Sequence, residues 1–404
     1  MGFINWVKQY FQDTGNSYKR GFKRLVFAAP FWVILISVVL IFVGFIRIGI
    51  LKYNRADQNM AEYWEQGSNV TYRELSVYAR GSRNAGETSP LMYINQDISL
   101  KKSDVNLIRT DLQTVVDSGL KNRKENGLDK EGRPVGWEDC YSSTIVANVA
   151  IFDEEKNTSS NINADTTLVA VGGNYKAFYP FVYMSGGFLP ETCTDQNQIV
   201  LNDVLAWRFF KSNDVVGHKV VIWDQVFTVV GVVSEPDSKL DQSVGSNAPR
   251  AYIYFSAMEK YTSEPSSGEE GFELDITSEC AIQCYQAILP EIVKGVAEND
   301  FKSAIPNYNG NNPQLYVVSN TGRYNVLRVW DDMVPLGETA GIMSNYELPY
   351  IEKAAWLTTQ HIFVCMVMIV LGFVLFFIGI IMTVMHFRKI DKTELQHSSE
   401  QIEE

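Results

Sequence analysis

The chain has 404 residues, of which 46% are hydrophobic and 20% charged, and its formal net charge is −12. That composition excludes a disordered tail protein, a collagen-like repeat and a disulfide-dense scaffold. The acidic balance argues against a nucleic-acid partner, which would require a basic face. The informative feature is the segregation of apolar residues.

In residues 1–24, Phe3, Trp6, Val7, Tyr10 and Phe11 fall on one helical face. This predicts an amphipathic helix at the cytoplasmic surface, lying in the lipid interface or packed on a partner protein. Leu25 to Ile46 then gives 22 residues without a charge, enough to cross a bilayer core. Arg47-Ile48-Gly49-Ile50-Leu51-Lys52 follows where small cleavage-site residues would stand, so 25–46 is read as an uncleaved signal anchor. Ile50, Tyr53, Met60, Ala61 and Trp64 continue a helical face, which predicts a stalk helix over 47–65 with Trp64 as a contact residue.

Residues 66–349 read as an α+β outer domain. The sequence predicts a strand at 70–79, a helix at 98–120 and a strand at 142–152. A strand-rich stretch follows at 167–171, 199–201, 219–223, 227–233 and 251–255. A strand at 272–277, a helix at 281–297 and a strand at 314–318 repeat the opening strand–helix–strand order, which predicts two lobes. The polar stretches 234–248 and 262–271 read as mobile loops. Pro349 can open a second stalk helix over 350–361, where Tyr350, Ala354 and the candidate contact Leu357 share a face. Ile362 to Met385 is a second uncharged run, of 24 residues, and 386–404 a polar tail. Lys8, Lys19, Arg20, Lys23 and Arg24 precede the first span and Arg388, Lys389 and Lys392 follow the second. The positive-inside rule therefore places both termini in the cytoplasm and 47–361 outside it.

Chemistry-bearing motifs are missing. There is no GxxxxGK[ST] and no GxGxxG opening a helix after a strand, so ATP hydrolysis is expected in a partner. There is no GxSxG, and His218, His361, His386 and His397 are too scattered for a triad. The acidic runs Asp153-Glu154-Glu155, Glu269-Glu270 and Asp331-Asp332 lack metal-loop spacing and read as solvated faces. The expectation is a non-catalytic protein without cofactor or metal. Cys140, Cys193, Cys280 and Cys284 lie in the outer region and allow three pairings, so a disulfide among them stays open. The spans carry no Asp, Glu, Lys, Arg or His, which disfavours a solute path through them. Gly372 and Gly379 give the second span a smooth strip for close packing of another helix, as in association with other membrane subunits.

One segment is more specific. Ser185-Gly186-Gly187-Phe188, Ile199-Val200-Leu201-Asn202, Ala206-Trp207-Arg208-Phe209-Phe210, Asp214 through Ile222 with Gly217-His218-Lys219, and Phe227 through Val233 occur in that order. The series resembles the extracytoplasmic core domain of MacB-type, mechanotransmission ABC transporter permeases. That family shows an SGR-F turn, a VVLN strand, an A--LF helix, D-VGK-V-I and F-VVGVV. Gly187 replaces the Arg, and His218 is inserted in the Gly-Lys pair. The resemblance implies a porter-like lobe from 66–160 and 272–349 and a sabre-like lobe from 161–271. It also implies an inner-membrane location, a partner ABC ATPase and no catalysis by this chain. Family permeases continue with a coupling helix and two further spans. The short tail here leads to the expectation of a second, four-span permease, and the resemblance leaves room for a periplasmic adaptor. The function expected is coupling of a partner's ATP hydrolysis to movement of the outer domain, for export or extraction of a substrate. The rival expectation is a membrane-tethered binding or sensing module with no ATPase.

Overall fold

The computed structural model describes residues 29–55, 58, 60–65, 70–79, 100–121, 136–263, 280–291, 293–306, 308, 315–334 and 348–403. The amphipathic helix expected within 1–24 and the strand expected at 272–277 lie outside the described residues, as does most of 262–271. The chain divides into two compact units: residues 1–53 with 360–404, and residues 54–359.

The first unit is a pair of apolar helices, each long enough to cross a membrane. Helix α1 spans Ala29–Tyr53. Its partner is the part of helix α9 (Tyr350–Glu403) that lies beyond residue 359. Glycines mark where the two backbones approach. A Cβ on Gly372 would sit 2.6 Å from Ile41 Cγ1 and 3.2 Å from the Ser37 carbonyl oxygen. One on Gly379 would sit 2.6 Å from Ile34 Cγ1, and one on Gly44 2.5 Å from Ile369 Cγ1. The strip at Gly372 and Gly379 is thus filled by the chain's own first span, with Gly44 answering from the other side.

The second unit is a mixed sheet with helices. Helix α2 covers Ala61–Glu65, strand β1 Tyr72–Ala79, helix α3 Lys102–Lys121 and strand β2 Glu138–Asp153. Later in the chain, β9 covers Cys284–Pro290, α7 Val296–Ala304 and β10 Leu315–Ser319. These strands line up as β10-β1-β9-β2, every neighbour antiparallel. Two strand–helix–strand units interleaved in this way make a split βαβ sheet, and α3 packs on α7. Between them lie β3 (Thr158–Gly173), β4 (Val182–Gly186), β5 (Gln198–Asn202), α4 (Asp203–Phe210), β6 (Lys219–Ile222), β7 (Gln225–Ser234), α5 (Lys239–Ser243), β8 (Arg250–Tyr254) and α6 (Phe255–Ser263). Helix α8 covers Val326–Met333. Strand β3 pairs with β2 through a long hairpin and with β8 in parallel. One hydrogen-bonded sheet therefore runs through both groups of strands, over one continuous apolar core.

Three expectations need correction. The helix expected over 281–297 is strand β9 followed by α7. All seven residues Cys284–Pro290 are buried between β1 and β2, and a strand covered on both faces has no period-two pattern to announce itself. The stalk helix expected over 47–65 is interrupted: α1 ends at Tyr53 and α2 begins at Ala61. The stretch 234–248 is an ordered turn rather than a mobile loop. It holds α5 behind a capping box in which Ser238 and Asp241 satisfy each other's backbone donors. Helix α9 begins directly after Pro349 and remains helical to Glu403.

Candidate functional site

Three buried arginines gather at the first ten residues of α9, all within the second unit. Arg323 follows β10 and meets Glu352 in a two-pronged ion pair, with Nη1–Oε2 at 2.8 Å and Nη2–Oε1 at 2.6 Å. The Tyr78 hydroxyl of β1 donates to the same carboxylate at 3.0 Å. The Trp356 ring, one turn along α9, lies 5.6 Å from the guanidinium. Burial alone would lower the Arg323 pKa, but the Glu352 carboxylate overrides it and holds the guanidinium charged.

Arg250 opens β8 and stacks on the Tyr350 ring, 3.8 Å from its centroid. It pairs with Glu235 at the end of β7 and donates to the Gly245 carbonyl at 2.9 Å. The Tyr252 hydroxyl also donates to Glu235. Desolvation is the largest influence on Arg250 and opposes its charge, but Glu235 together with the surrounding Tyr252, Tyr350 and Tyr175 more than offsets it, so its pKa rises. Arg55, just beyond α1, donates through Nη1 to Asp241 at 2.6 Å and through Nε to Thr358 at 3.0 Å. Asp241 is the third residue of α5 and accepts from the backbone N–H of its cap, Ser238, so one carboxylate holds both the capping box and Arg55.

Tyr350, Glu352, Trp356 and Thr358 of one helix are therefore fixed from three sides by β8, by the turn after β10 and by the segment after α1. Each ion pair is nearly dry: the side chains of Arg323 and Glu352 are 6% and 5% exposed, and those of Arg55 and Asp241 1% and 2%. Such a pair has little net stabilising value, yet losing either partner strands a buried charge. The arrangement has no nucleophile, no general base and, among the described residues, no metal-ligating cluster. It can hold a helix in one orientation against a sheet.

The motif series joins this seat through Asn202. Its side chain caps α4 by accepting from Leu205 N at 2.9 Å, and it accepts from Arg250 N at 3.1 Å. It also donates to the Ala248 carbonyl at 2.9 Å. Two motif glycines are forced by close backbone contact. Gly186 has φ +63° and a Cβ there would lie 2.2 Å from the Val230 oxygen; one on Gly231 would lie 2.0 Å from the Gly187 oxygen.

The residues singled out from the sequence make none of these ion pairs. Trp64 packs on the core beside Tyr72, with ring centroids 5.8 Å apart, and Leu357 is half-buried on α9. Cys140, Cys193, Cys280 and Cys284 are not joined to one another by a disulfide, and Cys140 and Cys284 lie on the neighbouring strands β2 and β9. Arg55, Asp241, Glu235, Arg250, Arg323 and Glu352 were not anticipated. The available signal was the helix start itself: Glu352 and Trp356, four residues apart, sit one turn inside a stalk helix that has to be held by something.

Residues 94–285 match the family model described as the MacB-like periplasmic core domain. Among solved structures, the chain is similar to the periplasmic region of MacB from Actinobacillus actinomycetemcomitans, at 13% identity and TM-score 0.37, covering 65% of this chain and 95% of that one. It is also similar to the extracellular domain of the noncanonic ABC-type transporter YknZ from Gram-positive bacteria, at 12% identity and TM-score 0.36, covering 61% and 99%. No curated protein matches the chain. The chain thus joins two membrane-length apolar helices to a sheet-rich domain that matches the MacB-like periplasmic core domain over residues 94–285, just under half of its length.

Proposed function

We propose that this chain is a non-catalytic inner-membrane subunit of a MacB-like ABC complex, coupling ATP hydrolysis by a partner ATPase to movement of its extracytoplasmic domain. The observation that carries the reading is the seat of α9. Residues 350–359 of a helix that continues into an apolar span are clamped to the outer sheet by Arg250, Arg323 and Arg55. A helix held in this way moves with the sheet rather than sliding past it, because buried ion pairs have discrete geometries. The partners of this reading are an ABC ATPase and a second permease subunit. Both termini are cytoplasmic in it, as the flanking cations require.

Gentle affinity purification of the full-length protein from its native membrane tests the proposal. An ABC ATPase recovered in stable proportion is the expected result. Recovery of the chain alone, as monomer or homodimer, would overturn the coupling role and leave a membrane-tethered binding module.

A further inference from the structure

Helices α3 and α7 belong to different strand–helix–strand halves of the split sheet, and they pack on one another. Where α3 ends and α7 begins they part around a cavity of about 230 Å³ that also reaches the end of β9. Leu112 and Val116 stand one turn apart on α3 and, with Ala297 of α7, give the cavity a buried apolar floor. Val293 and Val296 form its rim and stay 60% and 41% exposed. Single exposed valines are ordinary on a protein surface, but these two open onto one apolar cavity.

Asp300, one turn beyond Val296, is the one charged side chain of this lining among the described residues. Each acid at the seat of α9 has an arginine, and Asp300 has none. Burial against the apolar wall raises its pKa, and no cation or hydrogen-bond donor among the described residues offsets the rise. The neighbouring Lys302 is held by Glu298 at 2.6 Å. Ser118, the other polar side chain of the lining, donates its hydroxyl to the Thr114 carbonyl of its own helix at 2.7 Å.

We propose that this cavity is a binding site for a small amphiphilic amine, its apolar body lying between α3 and α7 and its ammonium paired with Asp300. The volume sets the size. An apolar cavity of about 150 Å³ takes up a benzene ring, so this one suits a single ring with a short alkyl chain. Charge complementarity sets the class. A neutral guest fills the space but leaves the carboxylate partly desolvated without a counter-charge, and an anion meets like charge. An ammonium gains a charge-assisted hydrogen bond at a site drier than bulk water. The guest touches both helices and so bridges the two halves of the sheet. The site lies within the second unit and rests on no part of the coupling role.

The experiment is a ligand-observed NMR titration of phenylbutylammonium, and of its neutral counterpart phenylbutanol, against the full-length chain in phosphatidylcholine nanodiscs. Empty nanodiscs of the same lipid, which carries no net charge, correct for partitioning into the bilayer. The wild type should bind the amine about tenfold more tightly than the alcohol. Asp300→Asn, an isosteric change at a partly exposed position, should remove that preference and leave alcohol binding unchanged. Asp300→Lys should transfer the preference to phenylbutanoate. Ala297→Leu, which adds volume to the floor, should abolish binding of amine and alcohol alike. Absence of binding to the wild type, equal affinity for amine and alcohol, or an undiminished preference in Asp300→Asn would overturn the site; the first two need no variant to fold.

Discussion

Glu352 and Arg323 form the contact whose loss is most diagnostic at the level of single residues. Glu352→Gln keeps the shape but leaves a guanidinium buried beside a neutral amide. The expected cost is about 3–5 kcal/mol, read by chemical unfolding of the full-length protein in detergent. A double replacement, Arg323→Met with Glu352→Leu, should recover most of that loss, since an apolar pair of similar volume carries no desolvation penalty. Recovery would separate the penalty of a stranded charge from a requirement for the pair itself. These residues were illegible in the sequence for a simple reason. The partners are far apart along the chain, 186 residues for Arg55 and Asp241 and 29 for Arg323 and Glu352. No local spacing announces a pair that only the sheet brings together.

Among the elements, the helices of the first unit show what a local pattern can and cannot carry. Uncharged runs predicted the spans, and Gly372 and Gly379 predicted close packing, but not that the chain's own first span supplies the partner. Gly372→Leu drives a side chain into Ile41 Cγ1, which a Cβ alone would already meet at 2.6 Å. The expected penalty is roughly 1–3 kcal/mol, seen as a lower thermal midpoint in detergent. The same change at Gly49, where a Cβ would meet nothing within 4 Å, should leave the midpoint unchanged. The strands divide in a similar way. The β6–β7 hairpin was legible because Trp223 and Asp224 interrupt two apolar runs, and both adopt the left-handed backbone (φ +50° and +57°) of a two-residue turn. Strand β9 was misread because burial on both faces erased its alternation. The capping box at Ser238 and Asp241 was written in the sequence and overlooked within a polar stretch, since a five-residue helix carries little apolar pattern of its own.

At the scale of the whole molecule, order along the chain proved the most legible property. Two apolar runs bracketing a mixed domain, and five short motifs in register, were enough to bring out the MacB-like core that the match over residues 94–285 shows. The seat was invisible because it depends on where the ends of distant elements meet. Sheet order places β1, the turn after β10 and β8 around one helix. Coupling through that helix is the central claim, and nucleotide-dependent hydrogen exchange of the co-purified assembly tests it most directly. With ATP and vanadate trapping the ATPase, protection of residues 235–254 and 350–359 should change relative to the nucleotide-free state, and Glu352→Gln should abolish the change in 235–254. Identical exchange of both segments with and without nucleotide would contradict the account.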